Sequence, residues 1–134
     1  MDAEMKPKIL IVDDDVAITQ QLFWTLCDEF EVMTANNLSS AIRRVTVYEP
    51  DVSILDLHLP PTPASTDTGL RILEYVKHHL PSSKVFVAST DSSVEVQRDC
   101  LRRGADGFLS KPLDVEGLLA TVRRAVLTRR LAAA

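Results

Sequence analysis

The sequence predicts an α/β fold in three layers, with a doubly wound, five-stranded parallel sheet between two layers of helices. Short apolar runs alternate along the chain with segments whose apolar residues recur every three or four positions. Parallel strands need crossover connections, so helices must cover both faces of such a sheet. The chain has 134 residues, about one domain's worth, and we expect a single domain over residues 1–134.

Two pairs of strand and helix are predicted in the first 50 residues. Residues 8–12 (KILIV) form a β-branched apolar run that is too short for a helix, so we expect a buried strand. Asp15 can cap the helix that follows, whose apolar residues recur every four positions at Ile18, Leu22 and Leu26. Residues 30–34 alternate like a second strand, and a second amphipathic helix ends before Pro50.

The middle of the chain predicts a third strand, a long loop and a third helix. Residues 52–55 are the strand and lead directly to Asp56. We expect a loop rich in proline and threonine over residues 59–68. The helix that follows has its apolar residues at Leu70, Leu73, Val76 and Leu80.

Two further strands and two helices complete the predicted sheet. Residues 85–88 form the fourth strand, and a fairly polar helix over residues 93–103 is closed by Gly104. Residues 107–110 form the fifth strand, which Pro112 ends. The last helix begins near Asp114 and has acids before arginines, as the helix dipole favours.

Composition excludes several classes of protein. The net charge of -4 gives no whole-molecule basis for binding nucleic acid or an anionic membrane. The N-terminus is acidic and lacks the basic and apolar regions of a secretory signal, and no stretch is apolar enough to span a membrane. The two cysteines show no metal-ligand spacing. We expect a cytoplasmic protein that does not itself bind nucleic acid or a membrane.

Polar residues stand at four of the predicted strand ends. Asp13 and Asp14 follow the first strand, Asp56 the third, Ser89 the fourth and Lys111 the fifth. In an open α/β sheet the functional crevice lies beyond the carboxyl ends of the strands. The sequence therefore places three carboxylates, a hydroxyl and an ammonium at one edge of the sheet.

This set of groups favours phosphoryl transfer with a metal ion. Three neighbouring carboxylates repel each other unless a cation joins them, and oxygen ligands without histidine or cysteine indicate Mg²⁺. With Lys111 and Ser89, the ion would surround a phosphoryl group with positive charge and a hydrogen-bond donor. No glycine-rich nucleotide loop is present, so we expect a carboxylate nucleophile that forms an acyl phosphate.

At these strand ends the chain resembles the receiver domain of bacterial two-component response regulators. The resemblance spans roughly residues 7–127, and its motifs are ILIVDDD at 9–15, SILDLHLP at 53–60, VFVAST at 85–90 and GADGFLSKP at 104–112. Each motif is weak alone, but their order and their places at the strand ends make the combination specific. The resemblance implies the flavodoxin-like strand order 2-1-3-4-5.

The resemblance also implies roles for the site residues. Asp56 would be the phosphoacceptor, taking its phosphoryl group from a phosphohistidine on a sensor histidine kinase or a phosphotransfer protein. Asp14 and Asp56 would bind Mg²⁺ directly with the backbone carbonyl of His58, and Asp13 would act largely through water. Lys111 would pair with Asp56, and the Lys111-Pro112 bond would be cis.

Four residues are implicated in switching and in phosphoryl lifetime. Ser89 matches the family's hydroxyl switch residue and Phe108 its aromatic one, and a partner would read the face made by helix four, strand five and helix five. His58 and Asp91 are expected to flank the path of the water that hydrolyses the acyl phosphate. A monomer and a phosphorylation-dependent homodimer both remain open.

One departure from the family pattern lies next to the site. The family usually has a glycine about four residues after the proline that follows the phosphoacceptor, whereas here PTPASTDT (residues 61–68) separates Pro60 from Gly69. The additional residues form either an idle surface loop or a modified gate or partner surface. An idle loop is possible because extra loop length costs little.

Two other functions use the same acids. A Mg²⁺-dependent phosphohydrolase with an aspartyl nucleophile would need a general acid, commonly an aspartate two residues after the nucleophile, but His58 stands there and no substrate cap is apparent. A degenerate receiver that only binds partners is disfavoured because all the site residues are present. We therefore expect a signalling domain rather than an enzyme, catalysing only its own phosphoryl transfer and slow dephosphorylation. It either stands alone or acts with a fused or separate effector.

Overall fold

The computed structural model, which describes residues 5–61 and 64–133, has the predicted α/β architecture. Over these residues five parallel strands form one sheet in the order β2-β1-β3-β4-β5, which confirms the expected strand order. The elements in chain order are β1 (Lys8–Val12), α1 (Val16–Leu26), β2 (Glu31–Ala35), α2 (Leu38–Tyr48), β3 (Val52–Asp56), α3 (Asp67–His79), β4 (Lys84–Ser89), α4 (Val94–Arg102), β5 (Gly107–Ser110) and α5 (Val115–Ala133).

Local signals in the sequence account for most helix ends. The Asp15 side chain accepts hydrogen bonds from the backbone N–H groups of Ala17 and Ile18, at 3.0 and 3.3 Å, and so caps α1 as expected. Asn37 and Ser40 form a reciprocal capping box at the start of α2. Gly104, with φ of 106°, follows α4 in the left-handed conformation that glycine adopts without strain.

Several predicted boundaries differ from the structure by one or two residues. β3 (Val52–Asp56) and β4 (Lys84–Ser89) are longer than predicted, and α4 (Val94–Arg102) is one residue shorter at each end. β2 covers residues 31–35 rather than 30–34, because the Phe30 N–H donates to the Leu26 carbonyl at the end of α1 and the Phe30 side chain is buried beneath that helix. α3 begins at Asp67, so the last two residues of the loop expected over 59–68 belong to its first turn.

The core consists of two apolar clusters, one on each face of the sheet. One cluster contains Leu55, Leu73 and Val87 and lies under α2, α3 and α4. The other contains Ile54 and Leu118 and lies under α1 and α5. β3 is buried along its whole length, so the sheet is covered on both faces, as a parallel sheet requires.

The strand register brings the carboxyl ends of four strands to one edge of the sheet. Val12 of β1 pairs with Leu55 of β3, and Asp56 pairs with Ala88 of β4. Ser89 at the end of β4 pairs with Ser110 of β5, so the residues that follow these strands lie side by side. No helix within the described ranges is long and apolar enough to cross a membrane.

Candidate functional site

Three carboxylates meet at this edge of the sheet. Asp13, Asp14 and Asp56 each offer an oxygen atom, and these oxygens lie within 4.8 Å of one another. Asp13 and Asp56 are buried, whereas Asp14 is exposed. The acid cluster, as we call these three residues, can hold a metal ion, because its oxygen ligands suit a hard divalent cation.

Lys111 lies between two members of the acid cluster. Its Nζ atom is 2.7 Å from Asp13 Oδ2 and 3.6 Å from Asp56 Oδ1. The sequence predicted a pair with Asp56 but not the shorter contact with Asp13. Asp13 is held for this contact because its other oxygen accepts a hydrogen bond from the Asp15 backbone N–H at 2.9 Å.

Burial and charge shift the pKa values of both partners. Burial raises the pKa of Asp56, the charge of Asp13 raises it further, and the nearby Lys111 ammonium offsets only part of this rise. Burial disfavours the ammonium of Lys111, but its hydrogen bond with Asp13 and the charges of Asp13 and Asp56 outweigh burial and raise the pKa of Lys111. The carboxylates therefore carry more negative charge than one lysine compensates, which favours a bound cation.

The two candidate switch residues lie on neighbouring strands. Ser89 is completely buried at the end of β4, and its Oγ atom accepts a hydrogen bond from the Asp91 backbone N–H at 3.0 Å. Phe108 lies in the adjacent strand β5 and pairs with Val87 of β4. Its side chain is half-buried and packs against the cluster under α2, α3 and α4. One strand pair thus joins the acid edge to the aromatic side chain.

His58 and Asp91 are each linked to the acid edge by a backbone hydrogen bond. The His58 backbone N–H donates to Asp56 Oδ1 at 3.3 Å. Hydrogen bonds from the backbone and side chain of Ser93, together with a weaker charge interaction with His58, lower the pKa of Asp91.

Two cis peptide bonds are found near the site. Lys111-Pro112 is cis, as expected, and Pro60-Pro61 is cis as well. The cis bond at Pro60-Pro61 was not predicted, although a proline at position 61 is the kind of residue before which cis bonds occur.

The region of the additional residues is only partly described. Within the expected loop over 61–68, residues 62 and 63 lie outside the described part of the chain. Pro61 and Ala64 are exposed on either side of them, and Thr68 is buried at the start of α3. Both interpretations of these residues, surface loop or gate, therefore stay predictions.

One feature of the site was not predicted from the sequence. A Cβ atom on Gly69 would lie 2.4 Å from the Cα atom of Leu57, one residue after Asp56. In the sequence, Gly69 marked only the end of the longer loop. Its position in the first turn of a helix, where glycine is unfavourable, was the signal that a close contact is made there.

Comparisons with known proteins agree with this geometry. The sequence profile of the response regulator receiver domain matches residues 9–123. The transcriptional regulatory protein KdpE of Staphylococcus aureus is 33% identical over 120 residues, which cover 89% of this chain and 49% of KdpE. The chain thus spans about half the length of this curated relative.

Solved structures show the same fold. A CheY-like receiver domain protein from Methanospirillum hungatei superposes with a TM-score of 0.86 at 24% identity, covering 95% of this chain and 98% of that one. The receiver domain of NtrX from Brucella abortus superposes with a TM-score of 0.79 at 31% identity, covering 90% and 98%.

Proposed function

The chain belongs to the response regulator receiver domain family, and from this membership we propose that it is a phosphorylation-dependent switch whose phosphoacceptor is Asp56. The phosphoryl group comes from a phosphohistidine on a sensor histidine kinase or a phosphotransfer protein. The observation that carries the proposal is that the acid cluster, Ser89 and Lys111 lie together at one edge of the sheet. Each of these groups has a place in the transfer.

In the transfer step, an Asp56 carboxylate oxygen attacks the phosphorus atom. The P–N bond of the phosphohistidine breaks, and its electron pair remains on the imidazole nitrogen of the donor. The product is an acyl phosphate on Asp56. Water later attacks the phosphorus atom, the acyl O–P bond breaks, and the carboxylate is regenerated with release of inorganic phosphate.

The acid cluster supports Mg²⁺ as the cofactor. Asp14, Asp56 and the backbone carbonyl of His58 would bind the ion, with Asp13 acting largely through water. When bound, Mg²⁺ neutralises charge on the phosphoryl oxygens and on the acid cluster. The composition of the acid cluster supports this assignment, because the single positive charge of Lys111 does not balance three carboxylates.

Lys111 and Ser89 are the chain's own groups for stabilising the phosphoryl oxygens. Lys111 already contacts Asp13 and Asp56, so its ammonium is close to where the phosphoryl group forms. The Ser89 hydroxyl accepts from the Asp91 N–H, and in the phosphorylated state it donates to a phosphoryl oxygen. Both contacts stabilise the negative charge that develops on these oxygens during the transfer.

The output is a shift between two conformations. Once Ser89 moves toward the phosphoryl group, Phe108 rotates into the vacated space and changes the α4-β5-α5 face. A shift from 1:99 to 99:1 needs about 5.5 kcal/mol of differential interaction, so no new fold is required. The partner that reads this face is a fused or separate effector, in a cytoplasmic signalling pathway.

His58 and Asp91 set the phosphoryl lifetime in this proposal. The His58 N–H donates to Asp56 Oδ1 and the Asp91 N–H donates to Ser89 Oγ, so we infer that both residues flank the path of the hydrolytic water. We expect His58→Asn and Asp91→Ala to change the half-life of the acyl phosphate in a dephosphorylation assay. Unchanged half-lives in both variants would contradict this role.

The proposal is tested by intact mass after incubation with acetyl phosphate, with and without Mg²⁺. We expect one added phosphoryl group that requires Mg²⁺ and is absent from Asp56→Asn. The matched control is Asp28→Asn, which changes an exposed carboxylate at the end of α1 and should leave the adduct unchanged. Steady release of phosphate without an adduct would favour a hydrolase, and neither adduct nor release would favour a receiver that only binds partners.

A further inference from the structure

The first turn of α3 packs directly against the backbone that follows Asp56. A Cβ atom on Gly69 would lie 2.4 Å from Leu57 Cα and 2.6 Å from the Leu57 carbonyl oxygen. The Gly69 N–H donates to that same oxygen at 3.2 Å. No side chain larger than hydrogen fits between the two backbones, so position 69 requires glycine for this contact.

The segment that Gly69 touches is anchored at both ends. We call residues 57–59 the β3 loop. Leu57 and Leu59 are completely buried in the core cluster under α2, α3 and α4, whereas His58 between them is half-buried beside the acid cluster. The Leu57 carbonyl is occupied by Gly69, and the His58 N–H is directed to Asp56 Oδ1. The Gly69 contact on one side and the buried Leu59 side chain on the other therefore fix the backbone around His58.

We propose that Gly69 is a positioning residue for the candidate metal site, because its close contact with Leu57 holds the β3 loop where the His58 carbonyl can bind Mg²⁺. This inference rests on the proposed function, which assigns that carbonyl to the ion. Glycine is unfavourable within a helix, and the contact with Leu57 explains its presence in α3.

The same contact predicts that additional residues beside the site are tolerated. The segment between Pro60 and Thr66 connects two fixed points, Leu59 in the core and Gly69 against Leu57. Its length can therefore change without moving the β3 loop. The fixed points, rather than the length of the connection, determine where the His58 carbonyl lies.

The test compares Gly69→Ala with Gly107→Ala. Gly107 is a matched control because a Cβ atom there would lie 2.8 Å from the Phe86 ring, a close contact in β5 outside the acid cluster. Mg²⁺ affinity is measured by isothermal titration calorimetry at a temperature at which circular dichroism shows both variants to be folded. We expect Gly69→Ala to raise the Mg²⁺ dissociation constant about 10-fold, as loss of a supporting contact behind a metal ligand does, and Gly107→Ala to leave it unchanged.

Equal Mg²⁺ affinity in the two variants, with a similar loss of stability, would overturn the inference. Wild-type protein that binds no Mg²⁺ and forms no adduct on Asp56 would instead overturn the proposed function. Wild-type protein that does both, with a Gly69→Ala variant that binds Mg²⁺ equally well, would reject the positioning role alone.

A second pair of variants applies if Gly69→Ala does not fold. Leu59→Ala removes the anchor at the other end of the β3 loop, and Leu26→Ala removes a completely buried leucine from the opposite cluster. Both leave a cavity of the same chemistry. We expect weaker Mg²⁺ binding only in Leu59→Ala, and equal dissociation constants in the two variants would contradict the role of the β3 loop.

Discussion

At the scale of single residues, Asp56 is in an environment that disfavours its own charge. It is buried, it lies within the acid cluster, and Lys111 makes its shorter contact with Asp13. Such a carboxylate costs stability in the metal-free protein and gains from any cation that joins the cluster. The site is thus arranged for binding and chemistry rather than for stability.

We expect Asp56→Asn to raise the melting temperature of the metal-free protein at neutral pH. The pKa of Asp56 is raised above its ordinary value of 3.8 in the folded state, so the folded protein holds this proton more tightly than the unfolded chain does. Its contribution therefore lowers the free energy of unfolding as the pH rises from the ordinary pKa through the raised one. Asparagine removes that penalty, and thermal unfolding in the presence of a chelator measures it.

The pH and metal dependence of this difference provide the controls. Below the ordinary pKa both states of the wild type are protonated, so the stabilisation by Asp56→Asn should fade. Asp28→Asn, at an exposed position, should change little. Added Mg²⁺ should stabilise the wild type more than the variant, by mass action on the folded state. A variant less stable than the wild type at neutral pH without metal would contradict the described charge balance.

At the scale of elements, the strand ends were predictable and the close contacts between elements were not. The apolar runs predicted the bounds of β1 and β5 to the residue, and the polar residues that follow the runs predicted the site. Alternation did not distinguish Phe30 from a residue of β2, because Phe30 is buried like the inward-facing residues of a strand although it packs in the cluster under α1. The Gly69 contact depends on how α3 lies against the β3 loop, so the glycine within the helix signals a close contact but does not identify its partner.

Two buried serines in and beside the sheet should respond in opposite ways to the same substitution. Within the described residues, Ser53 Oγ in β3 is buried without a hydrogen-bond partner, between Leu10 and Val85 of the neighbouring strands. Ser83 Oγ is also buried but donates to the Pro50 carbonyl at 2.7 Å. We expect Ser53→Ala to raise the free energy of unfolding by roughly 0.5–1 kcal/mol and Ser83→Ala to lower it by about 1–2 kcal/mol.

Urea unfolding of the two variants measures this difference without assumptions about the site. Both substitutions remove one oxygen atom from the interior, so they differ mainly in whether a hydrogen bond is lost. A loss of stability in Ser53→Ala as large as that in Ser83→Ala would show that the Ser53 hydroxyl has a partner in solution.

The connection between β3 and α3 should tolerate a change of length. We expect deletion of residues 61–65 to leave the rate of phosphorylation by acetyl phosphate and the Mg²⁺ affinity within about twofold, because loop closure depends only weakly on length and both ends are anchored at Leu59 and Gly69. Phosphorylation followed by intact mass measures the rate. A clear change in rate or in the choice of phosphodonor would favour the gate instead.

At the scale of the whole molecule, one strand pair connects the site to the proposed output face. Ser89 ends β4 beside the acid cluster, and Phe108 pairs with Val87 in the same two-strand ladder. Val94 and Leu101 on α4 are exposed, at 60% and 55%, although the sequence showed no clear apolar stripe on this helix. α4 therefore offers exposed apolar side chains within the proposed α4-β5-α5 face.

α5 is tied to the rest of the molecule by ion pairs. Arg123 makes two hydrogen bonds with Glu29, both at 2.8 Å, and Arg129 contacts Asp51 Oδ1 at 2.8 Å. Two of the arginines that follow the acids of this helix therefore have carboxylate partners within the chain.

The most direct test of the account follows backbone amide signals of ¹⁵N-labelled protein by NMR on addition of Mg²⁺ and beryllofluoride, which imitates a phosphoryl group on a carboxylate. We expect changes at the acid cluster, Ser89 and Lys111, and further changes at Phe108 and along α4, with none of the beryllofluoride-dependent changes in Asp56→Asn. Changes confined to the acid edge, or the same response in Asp56→Asn, would contradict a switch that runs from Asp56 to the α4-β5-α5 face.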